Sequence, residues 1–416
     1  MKLKGVKLFV LSVFLGFIIS GCSKDESIVQ PVDNKITGKA DFSSFVVIGN
    51  SISSGYQSNS LFKSAQEFSF GNLIAKQVKT NYVQPLIADP GTGGRIELIS
   101  FEPFRPQINL NTGSALEADY SSAYNNLGIP GAYTYDVVNA YNKETSYPAV
   151  KGSSGNEMFD LILRDKGTQF QQAKSLVPTF LVLWIGNNDI LGYVLNGGTS
   201  TYTPEDVFES YYRQMADSLA SLNTTVVTGN IPDVSVIPYL SFVNEQLKQN
   251  GIDSVWGINS SGDTTLMDLN KNYITLMAYI EEIYDYSGNS TGRGLSKDKP
   301  IRNKYILDED EAVKASEIVD EYNKIISKIS SEKGFFLVDF YTLFKNIKSS
   351  EAVGGYSESG QVFTTKYYYG NLFSLDGVHP SNKGHALIAN TIIKLVNSRF
   401  EAVIPLIDIN TIPNNF

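Results

Sequence analysis

The chain has 416 residues, of which 42% are hydrophobic and 19% charged, enough for one large domain or two modest ones. A net charge of −9, with no basic run beyond the N-terminus, argues against a nucleic-acid surface. A single cysteine excludes an intramolecular disulfide.

The chain opens MKLKGVKLFVLSVFLGFIISGC. Lys2, Lys4 and Lys7 precede an apolar run from Leu8 to Ile19, and Ser20 and Gly21 lead to Cys22. This is the pattern of an export signal over residues 1–21, too short for a comfortable membrane span. The ISGC ending resembles a bacterial lipobox. That resemblance implies cleavage before Cys22 and lipid on the cysteine, giving a lipoprotein anchored at the outer membrane. Acyl chains on one cysteine hold a protein to a bilayer without a spanning helix. The acidic SKDES that follows resembles the surface-export signal of some Gram-negative lipoproteins, and a charged tether explains it equally well. Residues 22–41 are polar, include Pro31 and Gly38, and read as a tether.

Elements then alternate. Residues 44–49 (SFVVIG) read as a short buried strand, and 65–79 carry apolar residues at helical spacing. Residues 179–186 (TFLVLWIG) read as a second buried strand. Residues 203–222 form an amphipathic helix with Thr203 as its expected N-cap, and 224–230 a third strand. A helix over 307–334 begins with Asp308 and Glu311 spaced as a capping box. The strand 335–340 and the helix 380–400 follow, leaving a tail over 401–416. Buried strands separated by helices predict a parallel sheet covered on both faces, a three-layer α/β/α sandwich. Its domain spans 42–400, with long insertions near 82–122, 143–177 and 232–304, which are rich in Gly, Ser, Asn and Tyr. Ligands of such sheets bind beyond the carboxyl ends of the strands.

Four polar motifs bear on chemistry. Ser51, in GNSIS just past the first strand, would hold its hydroxyl at that edge, a place that also suits a helix cap. In DGVHP, Asp376 lies three residues before His379 and can turn back across Gly377 to orient the imidazole as a general base. In GNND, Asn188 follows a strand and its amide suits an oxyanion donor, while Asp189 would brace the loop or cap the next helix. In NLGIPGA, a glycine lets its N–H approach a ligand closely, with Gly131 preferred and Gly128 the alternate. His385 falls inside the last helix and reads as packing or solvent exposure. SSGDTT (260–265) offers a rival glycine, Gly262, but falls after GNND, inside an insertion and without a preceding apolar strand; DPGTGGR (89–95) is glycine-rich but lacks the lysine and the strand-to-helix setting of a phosphate loop.

The order Ser51, Gly131, Asn188, then Asp376 with His379 resembles the SGNH hydrolases, also called the GDSL esterase/lipase family. The resemblance spans residues 44 to 398. It implies the sandwich fold, a catalytic triad of Ser51, Asp376 and His379, and an oxyanion hole from the Ser51 and Gly131 amides and the Asn188 side chain. No cofactor and no metal are expected. The family's aspartate before the serine is Asn50 here, which keeps the shape and loses the charge.

The expected activity is therefore a serine ester hydrolase, esterase or lipase in type, forming an acyl-enzyme at Ser51. Its partners would be a small-molecule, lipid or glycan ester and the membrane. The lipid anchor fits lipid or acyl esters. A carbohydrate O-acetyl esterase is the alternative, with Tyr367 to Tyr369 as a wall for sugars. A non-catalytic surface binding lipoprotein is the reading from another class.

Overall fold

The computed structural model describes residues 34–100, 105–283 and 290–414. Cys22, the expected signal segment and most of the expected tether lie outside the described residues. No helix among the described residues is long and apolar enough to cross a membrane.

The centre is a parallel sheet of five strands: β1 (Phe45–Gly49), β2 (Asn126–Gly128), β3 (Phe180–Trp184), β4 (Thr225–Gly229) and β5 (Phe336–Val338). Its order across the sheet is β5-β4-β3-β1-β2. β1 pairs with β3 from Phe45 opposite Phe180 to Gly49 opposite Trp184. On its other side Val47, Ile48 and Gly49 pair with Asn126, Leu127 and Gly128. Every residue of β1 and β3 is buried, as strands covered on both faces require. Burying one such Val, Leu, Ile or Phe is worth about 1.5–3 kcal/mol, so these runs dominate the choice of fold.

Helices flank the sheet. α1 (Phe70–Val78) packs against the last helix, α7 (Asn382–Arg399). α4 (Glu205–Ala220) packs against α6 (Glu309–Lys333). The capping box of α6 is present, with Asp308 accepting from the Glu311 amide and Glu311 from the Asp308 amide, and Gly334 ends the helix in the left-handed region. α1 begins later than its apolar spacing predicts because the Ser69 hydroxyl accepts the Asn72 amide and starts a new helix there. Thr203 is not the cap of α4, since Pro204 stands at that position and the Thr203 hydroxyl donates instead to Asp189 Oδ1 at 2.8 Å.

Segments read as insertions carry structure of their own. Residues 95–100 and 105–109 form a hairpin, as do 254–258 and 264–268. α5 (Pro238–Gln249) lies within 232–304. Within 143–177, α2 (Gln169–Ser175) touches β1, and its Gln169 amide donates to the Gly49 carbonyl at 2.8 Å.

The strand order reverses between β1 and β3, because the chain leaves β1 for one side of the sheet and returns to the other. Such a reversal opens a crevice at the carboxyl edge. Ser51 follows β1, and Asn188 opens α3 (Asn188–Leu195) just after β3, so the two face the crevice from opposite sides.

Candidate active site

Gly49 ends β1 where no side chain fits. A Cβ there would lie 2.3 Å from the Trp184 carbonyl oxygen and 2.2 Å from the Ser53 hydroxyl. The chain turns at once into the short helix Ser51–Ser54. Its cap is Asn50, whose side-chain oxygen accepts the Ile52 amide at 3.1 Å. The capping role is thus filled by Asn50, and the Ser51 hydroxyl is free to point elsewhere. The Asn50 amide donates to Asn187 Oδ1 at 3.1 Å, tying the turn after β1 to the loop after β3.

The Ser51 hydroxyl lies 2.8 Å from His379 Nε2, and His379 Nδ1 lies 2.9 Å from Asp376 Oδ2. Asp376 is buried and fully supplied with donors. Its Oδ1 accepts the Val378 amide at 2.9 Å and the His379 amide at 2.8 Å, and its Oδ2 also accepts the Asn59 amide at 2.9 Å. Burial pushes this carboxyl up, but the His379 ring and the amide donors outweigh it and hold it below the usual carboxylate range. Gly377 takes φ +70 between them, and the hairpin-like return brings the carboxylate back to the ring three residues on.

Asn188 lines the same cleft as Ser51 and His379. Its amide donates to the Ala132 carbonyl at 2.8 Å. Gly131 is one residue before Ala132, in the loop that Asn188 holds, and does not itself line the cleft. Gly131 has φ +80, and a Cβ there would meet Asn156 Nδ2 at 2.6 Å. Asp189 is buried and braces this loop: its Oδ2 accepts the Thr134 amide at 3.0 Å and the Thr134 hydroxyl at 2.9 Å.

The remaining cleft is apolar. Ile52, Ile190, Leu191, Ile231, Val234 and Phe373 are among its walls, with Asp233 the acidic exception. Tyr367 to Tyr369 do not wall it among the described residues. Tyr367 is buried and its hydroxyl donates to the Leu375 carbonyl, supporting the Asp376 loop from behind, while Tyr369 is exposed. His385 is fully buried and stacks on Phe70 at 6.2 Å. Burial, and secondarily the neighbouring His379, pushes its imidazole down to about 3, so it stays neutral. Gly262 sits in the turn of the 254–268 hairpin with nothing within 4 Å of a Cβ. Sequence reasoning passed over Tyr56 and Asn59, which touch the site, and over Thr134.

Three solved structures may be set beside this chain. An acetyl xylan esterase, AlAXEase, is 13% identical with a TM-score of 0.36, covering 84% of this chain and 98% of its own. A putative GDSL-like lipase from Parabacteroides merdae is 15% identical at TM-score 0.35, covering 85% and 96%. The acetylxylan esterase Axe2 from Geobacillus stearothermophilus is 12% identical at 0.37, covering 86% and 96%. Likenesses this distant say nothing of what this chain hydrolyses. No curated protein matches it. The sequence model of the GDSL-like lipase/acylhydrolases, in contrast, matches residues 45–392, which takes in all five strands and both ends of the cleft. The chain belongs to the GDSL-like lipase/acylhydrolase family and is a carboxylic ester hydrolase of that type.

Proposed function

We propose that the enzyme works through an acyl-enzyme at Ser51 and acts on esters with an apolar acyl group, lipid esters included. The observation that carries this reading is the unbroken contact from Ser51 Oγ through the His379 ring to Asp376, opening on an apolar cleft. Ser51 Oγ attacks the ester carbonyl carbon as its proton passes to His379 Nε2. Asp376 keeps Nδ1–H bonded, which fixes the tautomer and steadies the imidazolium. The Ser51 and Gly131 amides and the Asn188 side chain receive the oxyanion. The carbonyl re-forms, the C–O bond to the alcohol breaks, and His379 Nε2 returns its proton to that oxygen. Water, deprotonated by the same nitrogen, attacks the acyl-enzyme and releases the acid and Ser51.

The apolar walls favour an acyl chain over a glycan. The sugar reading leaned on the tyrosines of 367–369, which lie away from the cleft. The leader ending at Cys22 supports a lipid-anchored, outer-membrane location for this activity. The test is a series of chromogenic esters from acetyl to dodecanoyl, with acetylated xylan in parallel. Longer acyl chains should lower KM, and Ser51→Ala should remove turnover throughout. Equal rates on acetylated xylan and acetyl ester, with loss of activity on longer chains, would reverse the substrate assignment. Cys22→Ala should release the protein from the membrane fraction.

A further inference from the structure

Between the nucleophile turn and the antiparallel strands 95–100 and 105–109 lies a short stretch that the motifs leave unassigned. Gln57 and Ser60 exchange two main-chain hydrogen bonds, the Gln57 amide to the Ser60 carbonyl at 3.1 Å and the Ser60 amide to the Gln57 carbonyl at 2.9 Å. The two residues between them, Ser58 (φ 48) and Asn59 (φ 64), are both left-handed. A turn of this shape is ordinarily built from Asn and Gly. Serine and asparagine here accept a conformation that costs about 1–2 kcal/mol for an ordinary side chain. Strain of that kind persists only where the surroundings over-determine it, and it clusters at working sites.

The surroundings do over-determine it. The Ser58 amide donates to Ser374 Oγ at 2.9 Å, and Ser58 Oγ accepts the Leu375 amide at 3.3 Å. The Ser58 carbonyl accepts the Ile96 amide at 2.8 Å. The turn is thus riveted to the loop that carries Asp376. Its product is one bond: the Asn59 amide reaches Asp376 Oδ2, the oxygen that faces the His379 ring. The other two amides on this carboxylate, those of Val378 and His379, both go to Oδ1. Among the described residues, the Asn59 amide alone therefore fixes the oxygen on which the imidazole turns.

Tyr56 closes the circuit. Its ring meets the His379 ring edge-on, with centroids 4.8 Å apart and planes at 61°. Its hydroxyl donates to Asn59 Oδ1 at 3.3 Å. One side chain thus touches the imidazole through its ring and the residue that holds the carboxylate through its hydroxyl.

We propose that Tyr56 and Asn59 form a positioning clamp for the Asp376–His379 pair. Tyr56 blocks rotation of the imidazole away from Ser51, and Asn59 holds Asp376 Oδ2 in the ring plane. Neither touches substrate; both act through His379. The inference rests on the serine mechanism proposed above.

The experiment compares Tyr56→Phe and Tyr56→Leu with the unaltered enzyme. It measures kcat and KM on one chromogenic ester and the downfield proton resonance of the His379 Nδ1–H···Asp376 bond. Leucine keeps an apolar side chain at this half-buried position but removes the flat ring and the hydroxyl. Tyr56→Leu should lower kcat by about 10- to 100-fold, the effect of a catalytic group displaced by up to an ångström, with KM within about twofold. The resonance should broaden or vanish in the same sample. Tyr56→Phe keeps the ring and should restore kcat to within about threefold of the unaltered enzyme. Tyr369→Leu, at an exposed tyrosine, should change neither readout. Unchanged kcat and an unchanged resonance in Tyr56→Leu would overturn the clamp. Ser51→Ala separates the two claims: if it is inactive while Tyr56→Leu is normal, only the clamp fails. If Ser51→Ala keeps its turnover, the serine mechanism fails and the clamp with it.

Discussion

Asp189 takes both the amide and the hydroxyl of Thr134 on one carboxylate oxygen, at 3.0 and 2.9 Å, across a gap of 55 residues in sequence. Its other oxygen takes the Thr203 hydroxyl at 2.8 Å. Asp189 stands beside Asn188, and Thr134 stands three residues after Gly131. The carboxylate thus sets the spacing between the two residues proposed to receive the oxyanion, and replaces solvent for three buried donors.

Asp189→Ala strands those donors. Each buried donor left without a partner costs about 1–3 kcal/mol, so the urea midpoint should fall clearly. Turnover of the folded fraction should fall by about tenfold or more with little change in KM, because the loss is felt where charge develops and not where substrate first binds. A variant with a lower midpoint but normal kcat would reduce Asp189 to a structural brace.

Two buried carboxyls give stability a pH dependence with a definite sign. Burial pushes Asp136 up to about 8, against the opposing pull of the Tyr133 and Tyr147 amides. Burial likewise pushes Asp189 up to about 6, against its bonds from Thr134 and Thr203. Both carboxyls ionise near 4 in the unfolded chain, where they are free. Above that value, the folded state binds more protons than the unfolded state, so rising pH works against folding. The Asp189 contribution runs from about pH 4 to 6 and the Asp136 contribution from about pH 4 to 8. Melting temperature should therefore decline from pH 6 to pH 8, and Asp136→Asn should flatten that decline. The amide also gives up one of the two acceptors now used by Tyr133 and Tyr147, so it should melt lower at pH 6. Differential scanning calorimetry across this range reads both effects; a rising melting temperature from pH 6 to 8 would contradict the burial argument.

The legible parts of this fold are those where hydrophobic pattern alone decides. β1, β3 and β5 were readable because each falls in an apolar run, and β4 because two valines sit between β-branched threonines. β2 was not, because Leu127 is its one large apolar residue. It is a strand through main-chain pairing with β1 and through Asn126, whose amide donates to the Ser53 carbonyl at 2.9 Å. At the site, Asp376 and His379 are local in sequence, so their spacing could be read. Ser51 was legible only in combination, since a lone serine after a strand is equally a cap, a role that falls to Asn50. Tyr56 and Asn59 carried no signal, because their contacts depend on a left-handed Ser-Asn turn that composition does not announce. The tyrosines of 367–369 misled because Tyr368 adopts φ +44, and the turn buries Tyr367 behind the loop.

Asn188 and Gly131 should fail in different ways. Asn188→Ala removes a side-chain donor and should lower kcat by about 10²–10³ with KM nearly unchanged. Gly131→Ala keeps its amide, but the new methyl meets Asn156 Nδ2, which is itself held by the Pro130 carbonyl at 2.7 Å. It also forces alanine to φ +80, so both activity and stability should suffer. Gly262→Ala meets no neighbour and should leave kcat within about twofold, at a cost in stability of about 1–2 kcal/mol for its left-handed φ. Loss of turnover in Gly262→Ala with a silent Gly131→Ala would mean that the oxyanion glycine has been misassigned.

Asn50 stands where the family places an aspartate, and its contacts predict what restoring the acid does. Asn50 is buried, accepts the Ile52 amide and donates to Asn187 Oδ1. Asn50→Asp keeps the first bond, since a carboxylate accepts as well as an amide oxygen. The second bond survives only if the Asn187 amide turns over so that its NH₂ group donates. The fold should therefore hold, with a stability change of about 1 kcal/mol in either direction. The larger effect is electrostatic. A carboxylate adjacent to Ser51 places a second negative charge near His379, besides Asp376, and favours the imidazolium. General-base catalysis needs the neutral ring, so the acid limb of kcat/KM should move to higher pH. Rate at neutral pH should fall modestly and recover on the alkaline side. A pH–rate profile of the variant beside the unaltered enzyme decides the matter: an acid limb that stays in place, or moves to lower pH, would show that the residue before the serine does not feel the charge on the ring.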